Sequence, residues 1–509
     1  MNSVRKSMTA EHSTRGNVSN GMNRRDFLKA LGAGAATLAI SGCLNSARKL
    51  SATGKLNKRP NFVLILIDDL GWKDLGCYGS TFYETPNIDR LAQESMLFTN
   101  AYSACPVCSP TRASLMTGKD TARLRFTGHI TAIGRHRHPK NSRIIPPDDR
   151  MYLPLREVTI AEALNPAGYA SASIGKWHLG TEKYWPLEQG FDLNIAGWTH
   201  GSPPAYFYPY KNPSSKWNPS IPTLKGGKPG EYLTDRLTNE AIKFIKANRG
   251  RPFFLYLTHY AVHTPLQAPE PLVNKYKAKL KTDQSQKNAT YAAMVENLDA
   301  NVGRVLQMLE QLDLVDNTVV IFASDNGGEG RVTNNTPLRA GKGCLYEGGI
   351  RVPLFVKWPG RVKAGSICKT PVTSEDLYPT IVEITGDQAK PGEKIDGKSL
   401  LPLLTGKGKF KREAIYWYYP HYSPQAKQPG AAIRSGDYKL IEFYDPHKVE
   451  LYNLASDISE QLDLAEKMPK KTKELLTKLH SWLKSVDAKM HTPNPEHKAA
   501  ESNKNIRGK

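Results

Sequence analysis

Asn61-Phe62-Val63-Leu64-Ile65-Leu66-Ile67-Asp68-Asp69 decides the fold. The run is apolar at nearly every position and has the length of a strand. A continuous apolar run of that length fits a strand covered on both faces. It ends abruptly on two carboxylates. Three other runs have the same form. Residues 169–174 lead into Gly175-Lys176-Trp177-His178, residues 252–257 lead to His263-Thr264-Pro265, and residues 318–323 end in Ser324-Asp325-Asn326-Gly327.

Helical segments lie between these runs. The clearest spans about 288–312, with Tyr291, Met294, Val295, Leu298, Val302, Val305, Leu306 and Leu309 at helical spacing. Strands alternating with helices predict an α/β fold, a large mixed, mostly parallel sheet sandwiched by helices. Ligands of such sheets bind beyond the carboxyl ends of the strands. Four strands that all deliver polar groups there point to one shared site. After about residue 385 the pattern changes. Short strand candidates at 414–419, 431–434, 438–443 and 450–452 are separated by Gly, Pro and Asp, and a helix follows at about 468–486. That predicts a small C-terminal antiparallel sheet plus helix over 386–490, then a polar, disordered tail over 491–509.

The first 59 residues read as an address. Asn23-Arg24-Arg25-Asp26-Phe27-Leu28-Lys29 precedes a short apolar run to Ile40, and then comes Ser41-Gly42-Cys43. A twin arginine before a modest apolar region resembles a Tat export signal. Ile40-Ser41-Gly42-Cys43 resembles a lipoprotein cleavage box, in which Cys43 receives lipid. Met22 stands directly before the signal and is an alternative start. Residues 44–59 read as a polar tether. The expectation is an exported bacterial protein, periplasmic or at the cell surface, held to a membrane only by a lipid anchor. No run of 18 or more apolar residues predicts an ordinary membrane span.

The formal charge is +22. Leader and body are both basic, which favours anionic partners or simply a well-solvated surface. The basic residues of the body are dispersed and no nucleic-acid motif appears, so nucleic acid is not expected. The six cysteines fit no zinc template and no disulfide scaffold. Cys105-Pro-Val-Cys108 has the spacing of a redox motif, but the Pro-Thr-Arg that follows points to another use.

Cys108-Ser109-Pro110-Thr111-Arg112 is followed by Thr117-Gly118. Ser109 reads as a helix cap with Pro110 in the first turn, which puts Cys108 at a helix N-terminus, where anions are favoured. This string is similar to the motif Cys/Ser-x-Pro-Ser/Thr-Arg of the formylglycine-dependent sulfatases, in the alkaline-phosphatase-like superfamily. The resemblance runs from about residue 60 to about 465, with 60–385 as the catalytic domain. It implies that a maturase oxidises Cys108 to formylglycine, whose hydrate attacks sulfur and later expels sulfate. A plain thiol would stop at a stable thiosulfate ester.

Asp68, Asp69, Asp325 and Asn326 offer only oxygen, which favours calcium or magnesium over zinc. The resemblance implies that these four, with the oxygen on residue 108, hold calcium. Alone, Asp68-Asp69 would read as a turn or a helix cap. Gly175-Lys176-Trp177-His178-Leu179-Gly180 and the stretch 338–353, containing Lys342, complete the family's motifs. The resemblance implies His178 as base on the diol, His263 or Lys342 as donor to the leaving oxygen, and Lys176 and Arg112 as partners of sulfate and diol. Cations placed where charge grows are worth kilocalories in a dry site.

The implied reaction is hydrolysis of a sulfate monoester on a sulfated carbohydrate, and residues 201–207 resemble loops of bacterial polysaccharide sulfatases, which implies a galactose- or N-acetylgalactosamine-type sugar. Intervals 121–150 and 198–230 look private to this chain. They hold His129, Arg135, Arg137, His200, Tyr206 and Tyr208, and read either as specificity loops or as solvated surface. Two rival readings remain. One is a phosphodiesterase or phosphonate hydrolase of the same superfamily, against which Lys176, His178 and Lys342 argue. The other is a non-catalytic polysaccharide-binding lipoprotein, against which the intact Cys108, Arg112 and metal-ligand positions argue.

Overall fold

Residues Asn61–Ile67 form strand β1, and all of them are buried. The computed structural model of the protein describes residues 59–131, 134, 136, 138–386, 394–423, 425 and 428–497. The expected export signal, Cys43 and its lipid, and Arg135 and Arg137 lie outside the described residues.

Strands β2 (Met96–Phe98), β3 (Ala170–Gly175), β4 (Leu193–Ile195), β5 (Phe253–His259), β6 (Thr318–Ser324), β7 (Leu354–Lys357) and β8 (Ser366–Cys368) join β1 in one sheet, in the order β8-β2-β7-β6-β1-β5-β3-β4. All pairings are parallel except those of β7 with β2 and with β6. The sheet is therefore mixed and mostly parallel.

The helices that cover it are α1 (Cys108–Thr117), α2 (Leu233–Ala247), α3 (Ala289–Gln311) and α4 (Leu377–Ile384). Alternation along β1 shows why the run had to be apolar throughout. Val63, Ile65 and Ile67 pack with Leu237 of α2 and Leu298, Val302 and Val305 of α3. Phe62, Leu64 and Leu66 pack with Leu115 and Met116 of α1 and Ile381 of α4. Each fully buried aliphatic side chain stabilises the fold by about 1.5–3 kcal/mol. The Asn288 side chain caps α3 by accepting from the Tyr291 N–H.

The same alternation recurs in the C-terminal part. Strands β9 (Ile415–Tyr419), β10 (Gly430–Ser435), β11 (Tyr438–Tyr444) and β12 (His447–Asn453) form an antiparallel sheet in chain order. Trp417, Ala432 and Ile441 face Tyr102, Val107 and Ile350, beside the start of α1. Tyr418, Ile433 and Leu440 face Leu475, Leu479 and Leu483 of α5 (Pro469–Ser485). The Trp417 indole N–H donates to the Ser103 carbonyl at 2.8 Å, tying this sheet to the segment before α1.

Two local expectations change. Residues 492–493, read as tail, pair with 144–145, and the Asn494 side chain donates to the Ser142 carbonyl. Ser109 is not the cap of α1. The helix starts at Cys108, with Val107 in extended conformation before it and no side-chain cap. Thr111 Oγ1 bonds the Cys105 and Val107 carbonyls and accepts from the Cys105 N–H, which ties the segment before α1 to its first turn. Among the described residues, no helix is long and apolar enough to cross a membrane.

Candidate active site

Parallel register brings the reactive groups together. Ile67 of β1 lies opposite Ser324 of β6 and His259 of β5, so Asp68 and Asp325 leave the sheet side by side. Backbone bonds from Asp325 N to Ile67 O and from Val262 N to Asp68 O fix the turns that follow. Gly175 of β3 pairs with Thr258, and Lys176 N bonds the Thr258 carbonyl, placing Lys176 in the same row. Asp69 and His178 adopt left-handed backbone, with φ of 61° and 62°. Such conformations cluster at functional sites because the surroundings must enforce them.

The carboxylates are buried and each has its own cation. Lys176 Nζ donates to both oxygens of Asp68 at 2.8 Å. Lys342 Nζ reaches Asp69 Oδ1 at 2.7 Å and Oδ2 at 2.8 Å. Arg112 Nε donates to Asp325 Oδ2 at 2.8 Å, and its Nη1 to the Lys176 carbonyl. The Asn326 amide donates to Asp69 Oδ1, while Asn326 Oδ1 is buried with no partner among the described residues. Burial, opposed by Lys176 and reinforced by the charges of Asp325 and Asp69, pushes Asp68 above the usual carboxylate range. Burial acts on Asp69 too, but Lys342 and His263 hold it well below the usual carboxylate range.

A divalent cation would relieve both features. It would neutralise the crowded carboxylates and take up the idle amide oxygen, and the donor set is all hard oxygen. Carboxylate oxygens of Asp68 and Asp325 lie within 4.8 Å of each other and of Cys108 Sγ. The residues present therefore fit a calcium-type ion.

Cys108 sits on the first turn of α1 and is buried. Burial pushes its thiol up, with Lys176 and Lys342 opposing. That is the reverse of what an activated thiolate needs. His178 Nδ1 lies 3.4 Å from Cys108 Sγ and 3.1 Å from Ser109 Oγ. Because the Ile130 N–H already donates to Ser109 Oγ, that hydroxyl is free to donate to Nδ1. Burial, helped by the Lys176 charge, holds His178 well below the usual histidine value, so the ring is neutral and able to accept a proton. Gly201 makes this position accessible, since a Cβ there would stand 2.3 Å from His178 Cε1.

The site opens into a cavity of about 250 Å³ lined by Cys108, His129, His178, His200, Trp217 and His263, among others. His263 Nε2 lies 3.5 Å from Asp69 Oδ2, and its Nδ1 lies 2.8 Å from the Thr264 carbonyl. All of Asp68, Asp69, Cys108, Arg112, Lys176, His178, His263, Asp325, Asn326 and Lys342 are thus brought together. Both private intervals reach the cavity wall, through His129 and Ile130 and through His200, Trp217 and Asn218. Tyr206 and Tyr208 do not line it. Tyr206 is buried in the core, where its hydroxyl donates to the Tyr260 and His263 carbonyls, and Tyr208 packs against the same core. Sequence reasoning missed Ser109 as a partner of His178, and also Trp217, Asn218 and Gln425 in the wall. Only the folded loops reveal those.

Comparisons with known proteins agree with this geometry. The Sulfatase family model matches residues 60–387, and the model for the N-sulphoglucosamine sulphohydrolase C-terminal region matches 340–489. A twin-arginine translocation signal model matches residues 21–41. The chain is 35% identical to a sulfatase of Formosa agariphila, over 86% of this chain and 90% of that one. It is 36% identical to the human N-acetylgalactosamine-6-sulfatase, over 70% of this chain and 68% of that one. A crystal structure of Ps i-CgsB in complex with k-i-k-neocarrahexaose superposes with a TM-score of 0.71 at 31% identity, covering 84% of this chain and 93% of that one. Taken with a buried carboxylate cluster at the strand ends, these matches place the chain in the sulfatase family, and it is a sulfuric ester hydrolase.

Proposed function

We propose that the protein removes sulfate from a sulfated carbohydrate of the galactose or N-acetylgalactosamine type, using a formylglycine made from Cys108 and a bound calcium ion. The observation that carries this reading is the convergence on Cys108. Its Sγ lies within 4.8 Å of carboxylate oxygens of Asp68 and Asp325 and 3.4 Å from a neutral His178. The N-acetylgalactosamine-6-sulfatases and the neocarrahexaose complex among the relatives support the choice of sugar.

Asp68, Asp69, Asp325 and Asn326 would hold the calcium, which would supply charge neutralisation for the sulfate and acidify a neighbouring hydroxyl. The formylglycine would supply a hydrated aldehyde as nucleophile in place of a thiol. This chain's own residues then divide the work. Arg112 and Lys176 hold the carboxylates of Asp325 and Asp68 and would steady the sulfate and the diol. His178 accepts a proton at Nδ1. His263 and Lys342, both against Asp69 in the cavity wall, face the place where the leaving oxygen gathers charge. Residues 60–385 carry these groups, and 386–490 back the start of α1. Modification by a maturase before Tat export of the folded chain, followed by lipidation at Cys43, is consistent with the leader.

The test is a panel of sulfated mono- and oligosaccharides scored for released sulfate, with calcium and after chelation. Release from a galactose- or N-acetylgalactosamine-type sulfate, lost on chelation and restored by calcium, is the expected result. Cleavage of nitrophenyl sulfate with no release from any sugar would remove the carbohydrate reading. Full activity after exhaustive chelation would remove the calcium.

A further inference from the structure

We propose that His136, Asp149 and His421 form a second metal site, separate from the aspartate cluster, for a divalent transition ion of the zinc type. Two imidazoles and one carboxylate are a borderline donor set, suited to such an ion rather than to calcium. His136 Nε2 lies 3.3 Å and His421 Nε2 3.6 Å from Asp149 Oδ2. An ion with bonds of about 2.0–2.1 Å in tetrahedral geometry keeps its ligands about 3.3 Å apart. One ligand atom from each of the three residues falls within 4.8 Å of the others.

The surroundings hold the three in place. The Thr127 and Gly128 N–H groups donate to Asp149 Oδ1 and Oδ2 at 2.8 and 2.7 Å. Thr127 Oγ1 lies 2.8 Å from His421 Nε2, a contact that an ion bound at that nitrogen would displace. His421 is fully buried, and its Nδ1 has no hydrogen-bond partner among the described residues. Among the described residues, the ion-pair partners of Asp149 are these two imidazoles. Gly128 lets the rings converge, because a Cβ there would stand 2.2 Å from His136 Nε2 and 2.9 Å from His421 Cδ2.

The site is open on one side. A cavity of about 530 Å³, lined by His136, His138, Asp148 and Asp149, provides an entry path and room for a fourth ligand. It also stitches the two halves of the chain, since His136 and Asp149 come from the private interval 121–150 and His421 follows β9. The segment that Asp149 anchors at Thr127 and Gly128 runs straight on to His129 and Ile130 in the wall of the catalytic cavity. The ion would therefore brace that wall.

The experiment is calorimetric titration of Zn²⁺ into the chelator-treated full-length protein in excess Ca²⁺, which keeps the aspartate site filled. Wild type, His136→Gln, His421→Gln and Asp325→Asn are compared. Wild type and Asp325→Asn should bind one equivalent. Each histidine variant should bind at least about tenfold more weakly, since even outer partners of metal ligands are worth that much. Co²⁺ should give the intense visible bands of a four-coordinate nitrogen and oxygen site in wild type and lose them in His136→Gln. His136 is the variant that decides if His421→Gln does not fold, with wild-type-like circular dichroism as its control. No zinc bound by wild type, or equal binding by His136→Gln, overturns the proposal and leaves an ordinary histidine–aspartate network.

Discussion

His263 and Lys342 share one carboxylate, Asp69, yet face the same cavity. If they stabilise the leaving oxygen, their value depends on how basic that oxygen is. A sugar alkoxide needs a proton or a close cation as its bond to sulfur breaks, whereas a nitrophenolate leaves with little help. General acid assistance is worth about 10²–10⁴-fold. His263→Ala is therefore expected to lose most of that range in kcat/KM on a sugar sulfate and much less on nitrophenyl sulfate. Arg112→Ala, which acts through Asp325 and the Lys176 carbonyl, should hurt both alike. Equal losses for His263→Ala on both substrates would hand the leaving-group role to Lys342. At this scale the sequence was highly legible, because each site residue sits in a short motif whose spacing survives folding. The misreading was Ser109. Its sequence position suits a cap, but α1 already begins at Cys108, and Ser109 turns to His178 instead.

Elements decide how closely those residues approach. Strands β1, β3, β5 and β6 were legible because they are buried on both faces, which leaves β1, β5 and β6 largely apolar and β3 built from small residues. Strands β2, β4, β7 and β8 were not, for each has only three or four residues, too few to show a period. The loops over the cavity were legible as unusual but not as walls. Gly201 shows what they contribute. A methyl there would lie 2.3 Å from His178 Cε1 and 2.6 Å from Nδ1, so the ring must move. A displacement of about 1 Å at a reacting group can cost roughly 10²-fold in rate. Gly201→Ala is expected to lose activity on that order with an unchanged thermal midpoint, as read by parallel kinetics and calorimetry. Full activity would show that the loop yields before the imidazole does.

Across the whole molecule, the C-terminal sheet is tied to the Lys342 segment by buried charge. Lys439 Nζ on β11 donates to Glu347 Oε1 at 3.0 Å and to Glu460 Oε1 at 2.9 Å, and all three residues are fully buried. Arg351 adds a second cation on Glu347 at 2.7 Å. Removing one partner of a buried ion pair costs about 3–5 kcal/mol, since the other charge remains desolvated. Lys439→Met is expected to lose stability in that range in denaturant unfolding, and a loss under about 1 kcal/mol would mean the cluster relaxes through Arg351 and water. None of this was legible in the sequence, where Glu347 lies in a motif stretch but Lys439 and Glu460 carry no motif and are far from it along the chain.

Every part of the proposed chemistry rests on what stands at position 108. Mass spectrometry of the peptide that contains Cys108, from active protein made with a formylglycine-generating maturase, tests it most directly. The account predicts an aldehyde at Cys108, with activity rising in proportion to its occupancy and absent in Cys108→Ala. A fully active preparation carrying only the unmodified thiol would contradict it.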